Sequence, residues 1–268
     1  MGSMTGKVVL ATGATSGIGK AAAEKLKAEG ATVYALTRSA DKAKALGFEP
    51  IDCELSSQES IRKGVAEFLQ RSQKLDVLLL SAGIFAKARS ETVDGIESTF
   101  AVNYLSHFLI CNLVQDALFR SAPSRVVFIS SQYGGTKIDF DDLMLKNKKF
   151  SVIGSVPRTK LAEVLLAQEL AERWGSKGVR VNAIHPGLVA KTQLLDEVGG
   201  MWKFLTNLFG GTPEKGADSA VWLASAPEAA EVNGKLIAGR REQPTPGQGS
   251  DPAARKRLWD ESAKLARL

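Results

Sequence analysis

Cysteine is scarce: Cys53 and Cys111 are the only two in 268 residues, far apart and outside any CxxC or Cys/His spacing. That pattern indicates neither a disulfide framework nor a zinc site, so no metal is expected and a reducing, cytoplasmic setting is the simpler expectation. Long apolar runs are missing as well. No stretch of about 18 apolar residues occurs, and the opening MGSMTGK lacks the basic-then-apolar order of a signal peptide. A soluble protein without a transmembrane segment is expected. Charge is not one-sided: 35 basic residues against 29 acidic ones leave +6. The basic surpluses, seven against four from Gly239 to Leu268 and the trio Lys146, Lys148 and Lys149, are not interleaved with aromatics or set on a recognition helix. A nucleic-acid partner is therefore not expected.

What the chain does have is enough apolar material, 44% of its residues, for one well-buried core of the larger single-domain size. Six short apolar or β-branched runs, Val8–Ala11, Thr32–Leu36, Val77–Leu80, Val126–Ile129, Val181–Ile184 and Lys235–Ile237, read as strands buried on both faces. Helical patterns lie between them at Gly17–Glu29, Ser57–Gln70, Val93–Leu118, Arg158–Trp174 and Pro213–Leu223, and a last one covers Ala253–Leu268. Strand and helix in alternation imply a parallel sheet with helices on both faces, because parallel strands need right-handed crossovers. With no linker and no internal repeat, residues 1–268 are expected to form a single α/β doubly wound (Rossmann) domain. Residues 190–212 are apolar beyond what one helix face needs, as befits a substrate lid or a further core or interface helix. The stretch Arg240–Pro252 reads as a surface wrap.

Gly13, Ser16, Gly17, Ile18 and Gly19 follow the first strand and open the first helix. Glycine there allows a sharp turn and a close approach of backbone N–H groups to a pyrophosphate, with the helix N-terminus supplying positive potential. An NAD-binding chain usually presents an acid after the second strand to hold the ribose hydroxyls. This chain presents Thr37-Arg38-Ser39 instead. A cation there suits a 2′-phosphate and favours NADPH/NADP+, with a solvated loop charge as the alternative.

The TGxxxGIG loop resembles that of the short-chain dehydrogenase/reductase family. So do Ala82-Gly83 after the Val77–Leu80 run, Asn103 in a helix, Ser131, Lys160, and His185-Pro186-Gly187. The likeness runs from Thr5 to Leu268. Ile138–Leu143, Lys160-Leu161-Ala162 and Arg257-Leu258-Trp259 are similar to its retinol-dehydrogenase-like branch and fungal relatives. The resemblance implies that Gly13 and Ser16–Gly19 hold the phosphates and that Arg38 binds the 2′-phosphate. By the same resemblance Glu54 and Leu55 contact adenine, although Asp is usual at the first, and Ala82 and Gly83 line the ribose. Lys160 would hold the nicotinamide ribose, with Pro186, Gly187 and Val189 along the nicotinamide. It also implies a homo-oligomer built on the helices Val93–Leu118 and Arg158–Trp174, although the branch contains monomers.

In that family a tyrosine four residues before the lysine is the proton donor, its phenol acidified by the ammonium one helical turn away. Here that position is Val156, and the chain's tyrosines are Tyr34, Tyr104 and Tyr133. Three readings stay open. The first is reduction of a cyclic iminium on a hydrophobic small molecule, since hydride addition to C=N⁺ discharges a cation and needs no acid. It resembles the tyrosine-less reductase/Diels-Alderases of fungal indole-alkaloid pathways, which also guide an intramolecular [4+2] closure. The second is a carbonyl reductase with a substitute donor such as Tyr133, Arg158 offering hydrogen bonds to an oxyanion. The third is a non-catalytic NADP(H)-binding or scaffold protein. Ser131 is expected to orient substrate, Lys160 to orient cofactor, and Asn103 to be structural once the tyrosine is gone.

Overall fold

The computed structural model describes residues 2–131, 136–147, 149–187, 211–245 and 247–268. Among them eight strands form one sheet: β1 (Val8–Thr12), β2 (Thr32–Thr37), β3 (Glu49–Asp52), β4 (Val77–Leu80), β5 (Ser124–Ile129), β6 (Val179–Ile184), β7 (Leu236–Ala238) and β8 (Arg241–Gln243). Their spatial order is β3-β2-β1-β4-β5-β6-β7-β8, parallel throughout except for the antiparallel β7–β8 pair. The helices are α1 (Gly17–Ala28), α2 (Ala40–Ala45), α3 (Gln58–Arg71), the single turn α4 (Ser98–Phe100), α5 (Ser106–Arg120), α6 (Val152–Trp174), α7 (Pro213–Ser225) and α8 (Pro252–Ala266). The doubly wound α/β fold expected from the alternation is the fold observed.

Side chains alternate across a strand, yet both faces of this sheet are covered, so the central strands carry apolar residues toward both faces. Leu10, Leu78, Leu80, Val126 and Phe128 face one core, where α3 adds Phe68, α5 Phe108 and α6 Leu165. Val9, Ala11, Val77, Leu79, Val127 and Ile129 face the other, where α1 adds Ala22, Ala23 and Leu26 and α7 adds Ala217, Ala220 and Leu223. Burying each such leucine or phenylalanine contributes about 1.5–3 kcal/mol. The polar residues these strands do carry are met by the protein itself, as where Arg125 of β5 donates to the Leu223 and Ala226 carbonyls.

Two strands and one helix escape a reading by hydrophobic runs. Strand β3 reads Glu-Pro-Ile-Asp and β8 Arg-Glu-Gln, and both occupy sheet edges, where proline and charge are tolerated because one side of the ladder goes unpaired. Helix α2 is only six residues long. The surface wrap 240–252 thus contains β8 and a 3₁₀ turn, Gly247–Ser250. The long helix expected from Val93 begins at Ser98 and ends at Arg120, because residues 91–97 close a small loop with Gly95 at φ +74°. Helix α6 starts at Val152, capped by the Ser151 hydroxyl on the Gly154 N–H, so Pro157 lies inside it rather than at its first turn.

Helix α8 closes over α5 and α6. Trp259 meets Phe108 edge-on at 4.9 Å, the Arg173 guanidinium lies 3.9 Å above the Trp259 ring, and the Tyr104 hydroxyl bonds Ser262 at 2.8 Å. Between Ser155 and Ala171 only Pro157, Leu161 and Gln168 are not buried, all within a single chain. No helix among the described residues is long and apolar enough to cross a membrane. Apart from Gly211 and Thr212, the expected lid lies outside the described residues, as do Tyr133 and Val189; Thr212 caps α7 through the Lys215 N–H.

Candidate active site

In an open parallel sheet the crevice forms at the carboxyl ends of the strands where the winding reverses, here between β1 and β4. The Thr12 hydroxyl at the end of β1 accepts the backbone N–H groups of Ser81 and Ala82, at 3.1 and 3.2 Å, and draws the two loops together. Gly13 stands at φ +65°, and a Cβ there would lie 2.8 Å from the Ala82 nitrogen. At Gly19 a Cβ would meet the Gly13 carbonyl oxygen at 2.4 Å. Both glycines are required by space, and Gly13 by its backbone angle as well.

Helix α1 begins at Gly17 with no hydrogen bond from the Ser16 side chain and no acid in its first turn. Helices α3, α6, α7 and α8 are each capped by a serine, threonine or aspartate side chain. The first N–H groups of α1 are left for an outside acceptor. A glycine cradle without room for a Cβ beside an uncapped helix N-terminus fits the pyrophosphate of a dinucleotide.

Arg38 and Glu54 are brought together after β2 and β3, 3.1 Å apart, with the Arg38 side chain 73% exposed. Leu55 lies half-buried beside them in sequence. Burial pushes the Glu54 carboxyl up, but hydrogen bonds from Ser56 and the charge of Arg38 outweigh it and hold the group below the usual carboxylate range.

Asn103 sits in a π-helical turn, Ala101–Leu105, that leads into α5. Its carboxamide clamps Ile84, accepting from the Ile84 N–H at 2.7 Å and donating to the Ile84 carbonyl at 3.0 Å, with a further bond to Thr159 at 3.4 Å. It thereby anchors the segment that carries Ala82 and Gly83. The Ser131 hydroxyl pairs with His185 Nδ1 at 3.1 Å. Burial holds His185 below its ordinary range, so its ring is neutral at neutral pH. Pro186 is half-buried and Gly187 is exposed at φ +74°.

Val156 and Lys160 lie one turn apart on α6, and Val156 is buried. Lys160 Nζ donates to the Ile129 carbonyl at 3.0 Å and to Glu163 Oε2 at 2.9 Å. The other Glu163 oxygen faces His107 Nδ1 at 3.0 Å, and His107 Nε2 faces Thr12 Oγ1 at 3.2 Å. Burial is the largest influence on His107 and holds it below its ordinary range against the pull of Glu163. Neither His107 nor Glu163 stands out in the sequence as a site residue; the only signal is a histidine one turn after Asn103 and an acid three residues after Lys160. Arg158 does not join this group. Its guanidinium is buried, bonded to Glu97 at 2.7 Å and to the Leu143 carbonyl at 2.6 Å, so its η nitrogens serve a structural ion pair rather than an oxyanion.

Sheet, crevice and glycine cradle are those of the doubly wound class of proteins that bind dinucleotides. The comparisons carry this to a family. Residues 13–238 match the family model described as enoyl-(acyl carrier protein) reductase. Human retinol dehydrogenase 13 is 35% identical over 98% of this chain and 85% of its own length. Among solved structures, an uncharacterised protein from Mycobacterium paratuberculosis superposes with TM-score 0.76 at 27% identity, covering 100% of this chain and 96% of its own. A Pseudomonas aeruginosa RhlG/NADP active-site complex gives TM-score 0.70 at 26% identity, covering 87% and 94%. The chain belongs to the short-chain dehydrogenase/reductase family, a family of nicotinamide-dependent oxidoreductases.

Proposed function

We propose that this chain is an NADPH-dependent reductase of a cyclic iminium carried on a hydrophobic small molecule. The observation that carries the reading is Val156, an apolar side chain one turn before Lys160, where the family resemblance requires an acid. When bound, NADPH supplies the hydride. Ketone reduction builds alkoxide charge, and a general acid there is worth about 10²–10⁴-fold. Hydride addition to an iminium carbon converts a cation into a neutral amine and calls for no proton on the acceptor. In this reading Gly13 and Ser16–Gly19 hold the pyrophosphate, and Arg38 takes the 2′-phosphate. Glu54 and Leu55 border adenine, Ala82 and Gly83 the ribose, and Pro186 and Gly187 the nicotinamide, with Lys160 on its ribose. Ser131 orients the substrate. Guidance of an intramolecular [4+2] closure extends the same reading, because such a step needs orientation and shape more than acid or base.

A second reading, a carbonyl reductase, is favoured by the Ser131–His185 pair, since a hydroxyl backed by an imidazole can pass a proton to a substrate oxygen. The likeness to retinol dehydrogenases, named for an alcohol substrate, favours it too. Tyr133 would be its other donor. NADPH oxidation by the purified protein, with a cyclic iminium and its matched ketone side by side, separates the two. Iminium turnover well above ketone turnover is expected. Faster ketone turnover would overturn the iminium reading, and cofactor binding with no turnover of either would favour a binding role.

A further inference from the structure

Thr12, His107 and Glu163 are fully buried and Lys160 nearly so, yet their polar atoms form one continuous chain from the end of β1 to α6. Counting protons along it fixes each donor. The Thr12 oxygen already accepts two backbone N–H groups, so its own proton points to His107 Nε2. Nε2 is then the acceptor, and Nδ1 carries the proton that is donated to Glu163 Oε1. The remaining Glu163 oxygen accepts a hydrogen bond from Lys160, which donates a second to the Ile129 carbonyl and has a third N–H left. His107 is neutral, so the ammonium and the carboxylate are the two charges in this chain and they cancel.

Elsewhere in the family, as the resemblance has it, the lysine's ammonium acidifies a phenol. Val156 leaves nothing to acidify. We propose that Glu163 is an electrostatic positioning residue that neutralises Lys160 and, with His107 and Thr12, aims it. The lysine then holds the cofactor by hydrogen bonding without setting a net positive charge beside the reacting carbon. This rests on the reading of the nicotinamide site given above, and not on the identity of the acceptor. The arrangement suits a cationic acceptor, which a bare ammonium would repel.

NADP+ carries a positive nicotinamide ring and NADPH a neutral one, so the two forms report the field at that point. Dissociation constants of both are measured for the wild type, Glu163→Gln, Glu163→Asp and the double variant Lys160→Met/Glu163→Gln. Glu163→Gln is expected to raise the NADP+ to NADPH ratio about ten-fold, as befits like charges several ångströms apart in a medium of intermediate dielectric. Glu163→Asp keeps the charge and the double variant removes both charges, so each is expected to stay within about three-fold of the wild-type ratio. A purely structural role would weaken both forms alike, and an unchanged ratio in folded Glu163→Gln overturns the proposal. Failure of the wild type to bind either form overturns the nicotinamide-site reading instead. The wild type offers a test that needs no variant. Nitrogen-15 spectra of the chain's two histidines should show His107 neutral with its proton on Nδ1 from about pH 6 to pH 8. A proton on Nε2, or ordinary titration in that window, overturns the donor order on which the proposal stands.

Discussion

Replacement of Arg38 by alanine tests how this chain tells NADPH from NADH. Its guanidinium stands after β2 with 73% of the side chain exposed and holds Glu54 at 3.1 Å. An exposed ion pair of this kind is worth about 0–1 kcal/mol, so surrendering Glu54 to a phosphate costs little. A charge-assisted hydrogen bond contributes about 1.5–3 kcal/mol when shielded, and solvent screening at this exposure reduces it to about 1–2 kcal/mol. Arg38→Ala is therefore expected to weaken NADPH binding about ten-fold and to leave NADH binding within about two-fold. Glu54→Gln removes a carboxylate that competes for Arg38 and faces the incoming phosphate, and it should tighten NADPH a few-fold. Fluorescence titration of both cofactors at low and at physiological ionic strength is the assay, since screening should erode the NADPH advantage first. Equal losses for NADPH and NADH in Arg38→Ala would refute the 2′-phosphate role.

Glu97→Ala leaves Arg158 buried without its carboxylate and uncaps the Thr99 and Phe100 N–H groups, so urea unfolding should show a loss of about 3–5 kcal/mol; a loss below about 1 kcal/mol would contradict the structural ion pair. His107 and His185 both sit below their unfolded range in the folded chain, so the unfolded state takes up protons first. Their contribution to stability is complete above about pH 6.5 and is lost as pH falls through the depressed folded values, which Tm measured from pH 8 downward should show, with a shallower slope in His107→Gln. Val156→Tyr is expected to add ketone turnover, at about 1–3 kcal/mol of stability for forcing a ring into a buried position. A folded, NADPH-binding Val156→Tyr no better on ketones than the wild type would argue against Val156 as the vacated acid position. Gly13→Ala, with φ +65° and a Cβ 2.8 Å from Ala82, should abolish cofactor binding, and retained affinity would remove the cradle from the site.

The amino-acid order alone determined the doubly wound class, because strands buried on both faces must be apolar at successive positions and the runs at 8–11, 77–80 and 126–129 could be read directly. It also determined the glycine loop and the valine before Lys160, which are properties of spacing along one element. It did not disclose β3 or β8, whose edge positions release them from the apolar rule, nor the start of α6, which a serine cap set six residues ahead of the periodic signal. Contacts between distant elements were beyond it altogether. Arg158 was open to an oxyanion role until Glu97 was brought against it from 61 residues away, and nothing along the chain shows that Thr12 and Glu163 close on the two nitrogens of His107. A buried polar side chain takes its role from whichever partner satisfies it, and that partner is chosen by how the sheet and helices bring separate segments together.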